Sequence, residues 1–267
     1  MITFRKLGKF GRFGNQMFQY AGARLYADLN GFKWAFPNWI GNNIFQLKYS
    51  PLRFKDCFLP TVQLADLSHT SWPERLLAPF GLWRRLSINE LYKNQKDNIN
   101  IYGYLQDPII LELLKIHKQK VLNWFRFKPE IDELLRQETE KYRPWIGIHI
   151  RRGDFIKRGL ALPVVKYIEL LKNIKNAKKL YISIDDKSII SDFKDFELIN
   201  LKNPLPDIPD FVFDFWMLKN SETILGCGST FSWWAAYLNK GGGGYYSPPL
   251  THLWPVNYNP KLEKIEI

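Results

Sequence analysis

The feature that most constrains the fold is a regular alternation of apolar segments and helical patterns in the second half of the chain. Four apolar segments have the length and composition of buried strands: 145–150, 180–184, 197–201 and 223–227. Residues with helical apolar spacing lie between and after them: 164–174, 187–193, 211–219 and 231–238. This alternation predicts a parallel sheet that is covered by helices on both faces.

The first half of the chain shows a weaker form of the same pattern. The expected strands are 2–7, 34–36 and 101–105, and the expected helices are 16–29, 131–142 and a single amphipathic helix over 108–124. The stretch 38–100 is rich in Asn, Pro and Trp, which predicts irregular structure with short helices. Four consecutive glycines at 241–244 predict a flexible loop. We therefore expect two α/β domains, 1–138 and 139–267.

Composition excludes several classes of protein. Two cysteines, Cys57 and Cys227, are too few for a disulfide framework or a multi-cysteine zinc site, and the histidines lack metal-ligand spacing. The N-terminal residues lack the apolar stretch of a signal peptide, and no run approaches the roughly 20 apolar residues of a membrane span. A cytoplasmic protein is expected. Its net charge of +12 leaves three interpretations open: solvated helix faces, attraction to an anionic membrane surface, or binding of nucleic acid or a phosphorylated substrate.

The most informative motif directly follows the strand 145–150. It contains His149, Arg151, Arg152 and Asp154, which are costly at the end of a buried strand unless they face a ligand. Ligands bind at the carboxyl edge of open α/β sheets, and a guanidinium group matches phosphate oxygens in a bidentate manner. The motif therefore predicts an anion site. The structural alternative is an ion pair between Asp154 and one of the two arginines.

Two further loops have the features of phosphate sites. Residues 11–16 (Gly-Arg-Phe-Gly-Asn-Gln) lie between a strand and a helix, and residues 228–232 (Gly-Ser-Thr-Phe-Ser) follow the strand 223–227. Backbone N–H groups at a helix start can hold a phosphate. The first loop matches neither a Walker loop nor the dinucleotide fingerprint, so a tight turn explains it equally well. For the second loop, the alternative is ordinary N-capping by Ser229 or Thr230.

Two acids, Asp185 and Asp186, end the strand 180–184. They predict contacts with a ribose or a base edge, or else the capping of the helix that begins near Lys187. No Asp-x-Asp sequence occurs in the chain, so metal-dependent nucleotide-sugar chemistry of that type is not supported.

Together these motifs resemble glycosyltransferase family 11, the α-1,2-fucosyltransferases. The resemblance rests on residues 11–21, 103–106, 149–154, 183–186, 214–217 and 229–236. Two departures stand out. Gly228 replaces an asparagine that is usual in the family, and Ile184 interrupts the Phe-Ser-Asp-Asp pattern.

The resemblance implies a GT-B-like α/β fold, with two Rossmann-like domains whose parallel sheets face a central cleft. It implies transfer of L-fucose from GDP-β-L-fucose to a hydroxyl of a galactoside or related glycan, with inversion and without a metal or other cofactor. The acceptor would be a glycan or lipid-linked oligosaccharide. The implied catalytic residues are Asn15, His149, Arg151 and Asp154. The implied donor-binding residues are Gly14, Arg152, Asp185, Asp186, Ser229, Thr230, Phe231 and Ser232. No residue is assigned as the general base.

Two alternative hypotheses remain at this point. The first is a transferase of the same fold that uses a different nucleotide sugar, which the departures at Gly228 and Ile184 keep open. The second is a non-catalytic binder of nucleic acid or anionic glycan, which would use the +12 charge. This second hypothesis ranks lower, and no nucleic-acid partner is expected, because the motifs lie at strand ends rather than on a basic face.

Overall fold

The computed structural model describes residues 1–64, 76–174, 179–240, 244–253 and 261–267. These group into two compact units, Met1–Lys128 and Pro129–Ile267. The unit boundary lies ten residues before the division expected from the sequence at 138/139. The helix Pro129–Thr139 belongs to the second unit, because the indole N–H of Trp216 donates to the carboxylate of Asp132 at 2.8 Å. Residues 241–243 of the expected glycine loop, and His69, lie outside the described residues.

The first unit contains a five-stranded parallel sheet. Its strands are β1 (Ile2–Thr3), β2 (Trp34–Ala35), β3 (Thr61–Leu64), β4 (Trp83–Leu86) and β5 (Ile99–Tyr102), in the order β2-β1-β5-β3-β4. Its helices are α1 (Phe13–Leu29), α2 (Ile40–Ile44), α3 (Ile88–Asn94), α4 (Pro108–Ile116) and α5 (Lys118–Trp124), with short 3-10 segments at Phe54–Phe58 and Ala78–Phe80. The helix α1 is buried over most of its length, which makes it the centre of this unit.

One sequence expectation for this unit is confirmed only in part, and another was wrong. The short helices expected within 38–100 are present, but two strands there were not expected. The stretch 38–100 contains β3 and β4, which are only four residues long, and β4 carries two exposed arginines at the sheet edge, so neither strand shows a clear apolar pattern. The single helix expected over 108–124 is divided at His117, whose backbone is not helical (φ −99°, ψ 24°). The buried residues Leu114 and Val121 keep helical spacing across this break, so the apolar pattern does not reveal it.

The second unit contains a six-stranded sheet. Its strands are β6 (Ile146–Ile150), β7 (Lys179–Ile184), β8 (Glu197–Leu198), β9 (Thr223–Leu225), β10 (Tyr245–Ser247) and β11 (Glu263–Ile265), in the order β8-β7-β6-β9-β10-β11. All pairs are parallel except β10 with β11. The chain starts in the centre of the sheet, proceeds to one edge, and returns to the centre at β9. This is the doubly wound order, with a switch point between β6 and β9.

Helices cover this second sheet as the alternation predicts. They are α6 (Pro129–Thr139), α7 (Gly153–Lys157), α8 (Val164–Asn173), α9 (Asp210–Lys219) and α10 (Thr230–Tyr237). Short 3-10 segments lie at Glu140–Tyr142, Lys187–Phe193 and Thr251–Leu253, so the expected helix at 187–193 is of the tighter kind. The core beneath α8 joins Ile148 and Ile150 to Tyr167, Leu171 and Leu180, which are buried. The expected parallel sheet with helical layers is confirmed.

No helix within the described ranges has both the length and the apolar character that crossing a bilayer requires.

Candidate functional site

The switch point of the second sheet lies between β6 and β9, and the chain leaves these two strands in opposite directions. Residues 151–153 follow β6, and residues 226–229 follow β9. Parallel strands end at the same edge, so the two loops flank one position at the carboxyl edge of the sheet. This is where open α/β sheets bind their ligands.

Arg151 is held at this edge by a bidentate ion pair with Asp154. The Nε–H of Arg151 donates to Oδ1 of Asp154 at 2.8 Å, and Nη2 donates to Oδ2 at 2.6 Å. The guanidinium carbon also lies 4.4 Å from the ring centroid of Phe155. Because a guanidinium group has five N–H donors, this pairing orients Arg151 and leaves donors for an anion. The ion pair expected as the structural alternative is therefore present, and it is compatible with anion binding.

The two acids that end β7 hold the turn after β6. The carboxylate of Asp185 accepts the backbone N–H groups of Arg152 at 2.8 Å and Gly153 at 3.1 Å. Asp186 accepts from Nε of Arg152 at 3.1 Å and from the backbone N–H of Ser188 at 3.1 Å. The hydrogen bonds from Ser188 and Arg152 lower the pKa of Asp186. Asp186 thus caps the 3-10 segment Lys187–Phe193. Capping is one of the two roles that the sequence predicts for Asp185 and Asp186.

His149 belongs to β6, and its side chain is buried beside Cys227, which follows β9. Its Nδ1 lies 3.6 Å from Sγ of Cys227, and its ring centroid lies 5.1 Å from that of Phe231. Burial, together with the nearby Arg151 charge, lowers the pKa of His149 to about 3, and burial raises the pKa of Cys227 to about 12. At neutral pH both groups are uncharged, and the ring of His149 packs beneath the site.

This burial predicts a pH-dependent contribution to stability. Because the folded pKa of His149 lies below its ordinary value of 6.5, the unfolded chain takes up a proton between pH 6.5 and 3 that the folded chain does not. Acidification therefore favours unfolding through this group. We expect His149→Gln to lose less stability than wild type between pH 7 and pH 4.5, as measured by urea unfolding.

The control for that measurement is His117→Gln, at a half-buried position outside the second unit. The free energy of unfolding of this variant should change with pH as that of the wild type does. An identical loss of stability in wild type and His149→Gln would contradict the buried, neutral state of His149.

The turn after β9 has a left-handed residue at Gly228. Its φ is +73°, and its backbone N–H donates to Oγ of Ser247 at 2.9 Å. Ser229 then caps α10 by accepting the backbone N–H of Phe231 at 3.2 Å, and Oγ of Ser232 donates to the carbonyl of Ser229 at 3.2 Å. Asparagine is among the few other residues that adopt positive φ readily. The replacement of the family's usual asparagine by Gly228 is therefore compatible with the same backbone turn.

Substitutions at Gly228 test this explanation. We expect Gly228→Asn to change the free energy of unfolding little, whereas Gly228→Ala should cost about 1–2 kcal/mol, because alanine is strained at positive φ. Chemical denaturation of both variants measures the difference. Equal stabilities of the two variants would contradict the backbone explanation and indicate a side-chain role for the usual asparagine.

Asp214 is a candidate site residue that the sequence motifs give no role. It lies on α9 and accepts hydrogen bonds from Tyr181 Oη at 2.5 Å and Ser183 Oγ at 3.0 Å, and burial raises its pKa. Asp214 lines a cavity of about 950 Å³ beside β7 and β8, together with Lys187 and Asn203. The signal in the sequence was an acid within the otherwise apolar run 211–218, because a buried carboxylate is costly without a function or partners.

In the first unit, the loops that follow the neighbouring strands β1 and β5 lie together at the carboxyl edge of the sheet. Two motifs that are far apart in the sequence meet there, since Nε2 of Gln106 donates to Oδ1 of Asn15 at 3.0 Å. The glycine loop before Asn15 is supported by Gln16, which donates to the carbonyl of Gly11 at 3.0 Å. Gly11 has φ +74°, and a Cβ there would lie 2.8 Å from Cβ of Asn15. The loop therefore requires glycine in order to present Asn15.

Aromatic rings lie in the same loops of the first unit. The ring of Phe10 stacks on Tyr104 with centroids 4.6 Å apart, and it lies 5.1 Å from the ring of Tyr102. Gln19 holds the backbone of Phe10 by donating to its carbonyl at 3.1 Å. The rings are half-buried, so part of this cluster faces solvent.

The site residues expected from the sequence thus form two groups. Asn15 and Gly14 lie in the first unit, and the ten others lie around the switch point of the second unit. Within the part of the chain that the structure describes, no three His, Cys, Asp or Glu side chains are grouped in a way that could hold a metal ion.

Two α/β units with parallel sheets, the second doubly wound with an oriented arginine at its switch point, define an α/β protein of the GT-B-like class. No protein-family model matches the chain. A curated α-1,2-colitosyltransferase from Escherichia coli is 23% identical over an alignment of 263 positions, which covers 86% of each chain. This relative confirms the resemblance to sugar transferases that the motifs predicted.

The solved structures share the fold. A fucosyltransferase NodZ from Bradyrhizobium matches with a TM-score of 0.62 and 15% identity, covering 99% of this chain and 98% of that one. POFUT1 in complex with GDP-fucose matches with a TM-score of 0.59 and 11% identity, covering 92% and 97%. At these identities the likeness shows the fold, which is that of GT-B-like fucosyltransferases.

Proposed function

We propose that this protein transfers L-fucose from GDP-β-L-fucose to a hydroxyl of a galactoside or related glycan, with inversion and without a metal. The observation that carries the proposal is the oriented guanidinium of Arg151 at the switch point of a doubly wound sheet. The colitosyltransferase relative and the fucosyltransferases of the same fold support sugar transfer as the reaction.

The proposed role of Arg151 is to stabilise the departing diphosphate. As the bond between the sugar and the diphosphate breaks, negative charge grows on the phosphate oxygens, and a preorganised guanidinium stabilises that charge without moving. Asp154 keeps Arg151 oriented. The start of α10, at Ser229, Thr230, Phe231 and Ser232, adds the positive end of a helix and backbone N–H groups to the same anion.

The cavity beside Asp214 is the proposed site for the nucleobase. A carboxylate only accepts hydrogen bonds, and guanine presents N–H donors on its base-pairing edge. Tyr181 and Ser183 occupy two of the four lone-pair positions of Asp214, which leaves acceptor capacity for the base. The resemblance implies Asp185 or Asp186 in this role. The structure places both acids on the turn of Arg152, so Asp214 replaces them in the proposal.

The first unit supplies the proposed acceptor side. The Asn15–Gln106 pair presents amide groups that can bind sugar hydroxyls, and the Phe10–Tyr104 pair presents ring faces against which the apolar face of a sugar can pack. In a loose transition state the sugar ring carries positive charge, so the acceptor hydroxyl needs little help from a base. This agrees with the lack of an assigned base in the motifs.

A second candidate function is favoured by the sequence relative. Since that protein is a colitosyltransferase, the donor sugar of this chain would then be colitose in place of fucose. The proposed roles of Arg151, Asp154 and Asp214 are the same in both cases, because they concern the nucleotide.

A panel of nucleotide sugars tests the proposal. The purified protein is incubated with lactose and GDP-fucose, GDP-colitose, GDP-mannose or UDP-galactose, with and without EDTA, and the product linkage is determined by NMR. We expect an α-1,2-linked fucoside that forms equally well with EDTA. Turnover of GDP-colitose alone would establish the second candidate. A product that requires a divalent cation, or no product with any donor, would overturn the proposal.

A further inference from the structure

Five apolar side chains are exposed along one edge of the first unit. Three phenylalanines are the most exposed of them: Phe54 at 82%, Phe58 at 67% and Phe80 at 76% of their surface. The full apolar set is Phe54, Phe58, Leu76, Phe80 and Leu82. Soluble proteins seldom expose large apolar groups together unless another surface covers them.

These side chains belong to neighbouring segments. Phe54–Phe58 precedes β3, and Ala78–Phe80 precedes β4, which pairs with β3 through Thr61 and Trp83. The backbone N–H of Thr61 donates to the carbonyl of Leu82 at 2.8 Å. Both segments therefore enter the sheet at its amino edge, and the rings of Phe54 and Phe58 lie 5.1 Å apart. The proposed acceptor residues lie at the opposite, carboxyl edge of this sheet.

Basic side chains accompany the exposed rings. The exposed cations on or beside these segments are Lys33, Arg53, Lys55, Arg84 and Arg85. Three of them, Lys33, Arg53 and Lys55, line a cavity of about 490 Å³. The two acids of this cavity are already paired, Asp56 with Arg53 and Asp97 with the amino group of Met1. Arg53 is therefore neutralised by Asp56. We call the apolar set together with Lys33, Lys55, Arg84 and Arg85 the aromatic–basic patch.

We propose that the aromatic–basic patch binds the surface of an anionic lipid bilayer. Aromatic and aliphatic side chains enter the boundary between headgroups and acyl chains, while lysine and arginine pair with lipid phosphates, and the two effects add. A second copy of the chain is a poorer occupant, because a symmetric contact would bring the cations of the two patches together. The net charge of +12 acts in the same direction by attracting the protein to an anionic membrane.

Vesicle sedimentation with the whole chain tests this proposal. Vesicles of phosphatidylcholine alone are compared with vesicles that also contain phosphatidylglycerol, at low and high salt. We expect binding to the anionic vesicles that salt weakens. One variant replaces the rings (Phe54→Ser, Phe58→Ser and Phe80→Ser), and a second reverses charge (Lys55→Glu, Arg84→Glu and Arg85→Glu). Each should reduce binding by about tenfold or more.

Two control variants are matched to these changes. Ile116→Ser with Val165→Ser removes apolar side chains that are also exposed, and Lys141→Glu with Lys172→Glu and Lys194→Glu reverses three exposed charges away from the patch. Both should bind vesicles as wild type does. Equal binding to neutral and anionic vesicles, or wild-type binding by both patch variants, would overturn the proposal. A third result would also overturn the proposal: light scattering shows a dimer that the ring variant loses, and the wild-type protein binds no vesicles. None of these measurements depends on sugar transfer, so they are independent of the proposed function.

Discussion

Replacing Arg151 by alanine should lower kcat/KM for sugar transfer by about 10²–10³-fold, the usual cost of removing one preorganised stabiliser of transition-state charge. The loss should appear mainly in kcat, because the guanidinium stabilises charge that develops as the diphosphate leaves. The fold should persist. The Arg151 side chain is 19% and that of Asp154 36% exposed, and partly exposed ion pairs contribute only about 0–1 kcal/mol to stability.

Steady-state kinetics and thermal unfolding of three variants distinguish a loss of catalysis from a loss of stability. Arg158→Ala, which removes an exposed arginine just after α7, is the matched control and should retain full activity. Asp154→Asn should give an intermediate loss, because Arg151 keeps its charge but loses its bidentate partner. Near-normal transfer by Arg151→Ala would overturn the assigned role. A large fall in unfolding temperature would show that the ion pair is structural.

Replacing Asp214 by asparagine should weaken GDP binding by about 10- to 100-fold, because the change removes an acceptor that a bidentate contact with a base edge requires. The affinity of ADP, which lacks the guanine donors, should change little. Stability at pH 7 should not fall. Burial raises the pKa of Asp214, so the folded state bears the cost of the ionised form at that pH, and the neutral amide removes this cost.

The same raised pKa predicts how GDP binding depends on pH. Protonation removes acceptor capacity, so wild-type affinity should decline on acidification, beginning above the usual range of an aspartate, and Asp214→Asn should flatten this decline. Calorimetric titration measures both effects, with Asp207→Asn as an exposed control outside the cavity. Unchanged GDP affinity in Asp214→Asn would contradict the placement of the base in this cavity.

The sequence pattern revealed β6 but not β3 or β4. The apolar run of β6 predicts the strand directly, because both of its faces pack against helices. The strand β4 carries Arg84 and Arg85 on an exposed edge, and it is a strand because β3 supplies its hydrogen-bond partners. Such partners are distant in the sequence, so local pattern cannot reveal them.

Some contacts of the candidate site follow from local sequence spacing, and others depend on the fold. Arg151 and Asp154 lie three residues apart after a buried strand, so their proximity follows from local spacing. Asp185 pairs with backbone groups about thirty residues earlier in the chain, and that contact exists only because β6 and β7 are adjacent. Asp214 depends on the packing of α9 against β7, which the sequence pattern does not define.

The sequence by itself determined the parallel α/β class, the position of the charged motif at a strand end, and the resemblance to sugar transferases. These follow from apolar periodicity and from residue types at short spacing, which are local properties. Only the tertiary structure decided that the strand order places a switch point between β6 and β9, that His149 is buried and neutral, and that Asp214 faces a cavity. The physical reason is that pairing, burial and the resulting pKa shifts arise between residues that the sequence separates by tens of positions.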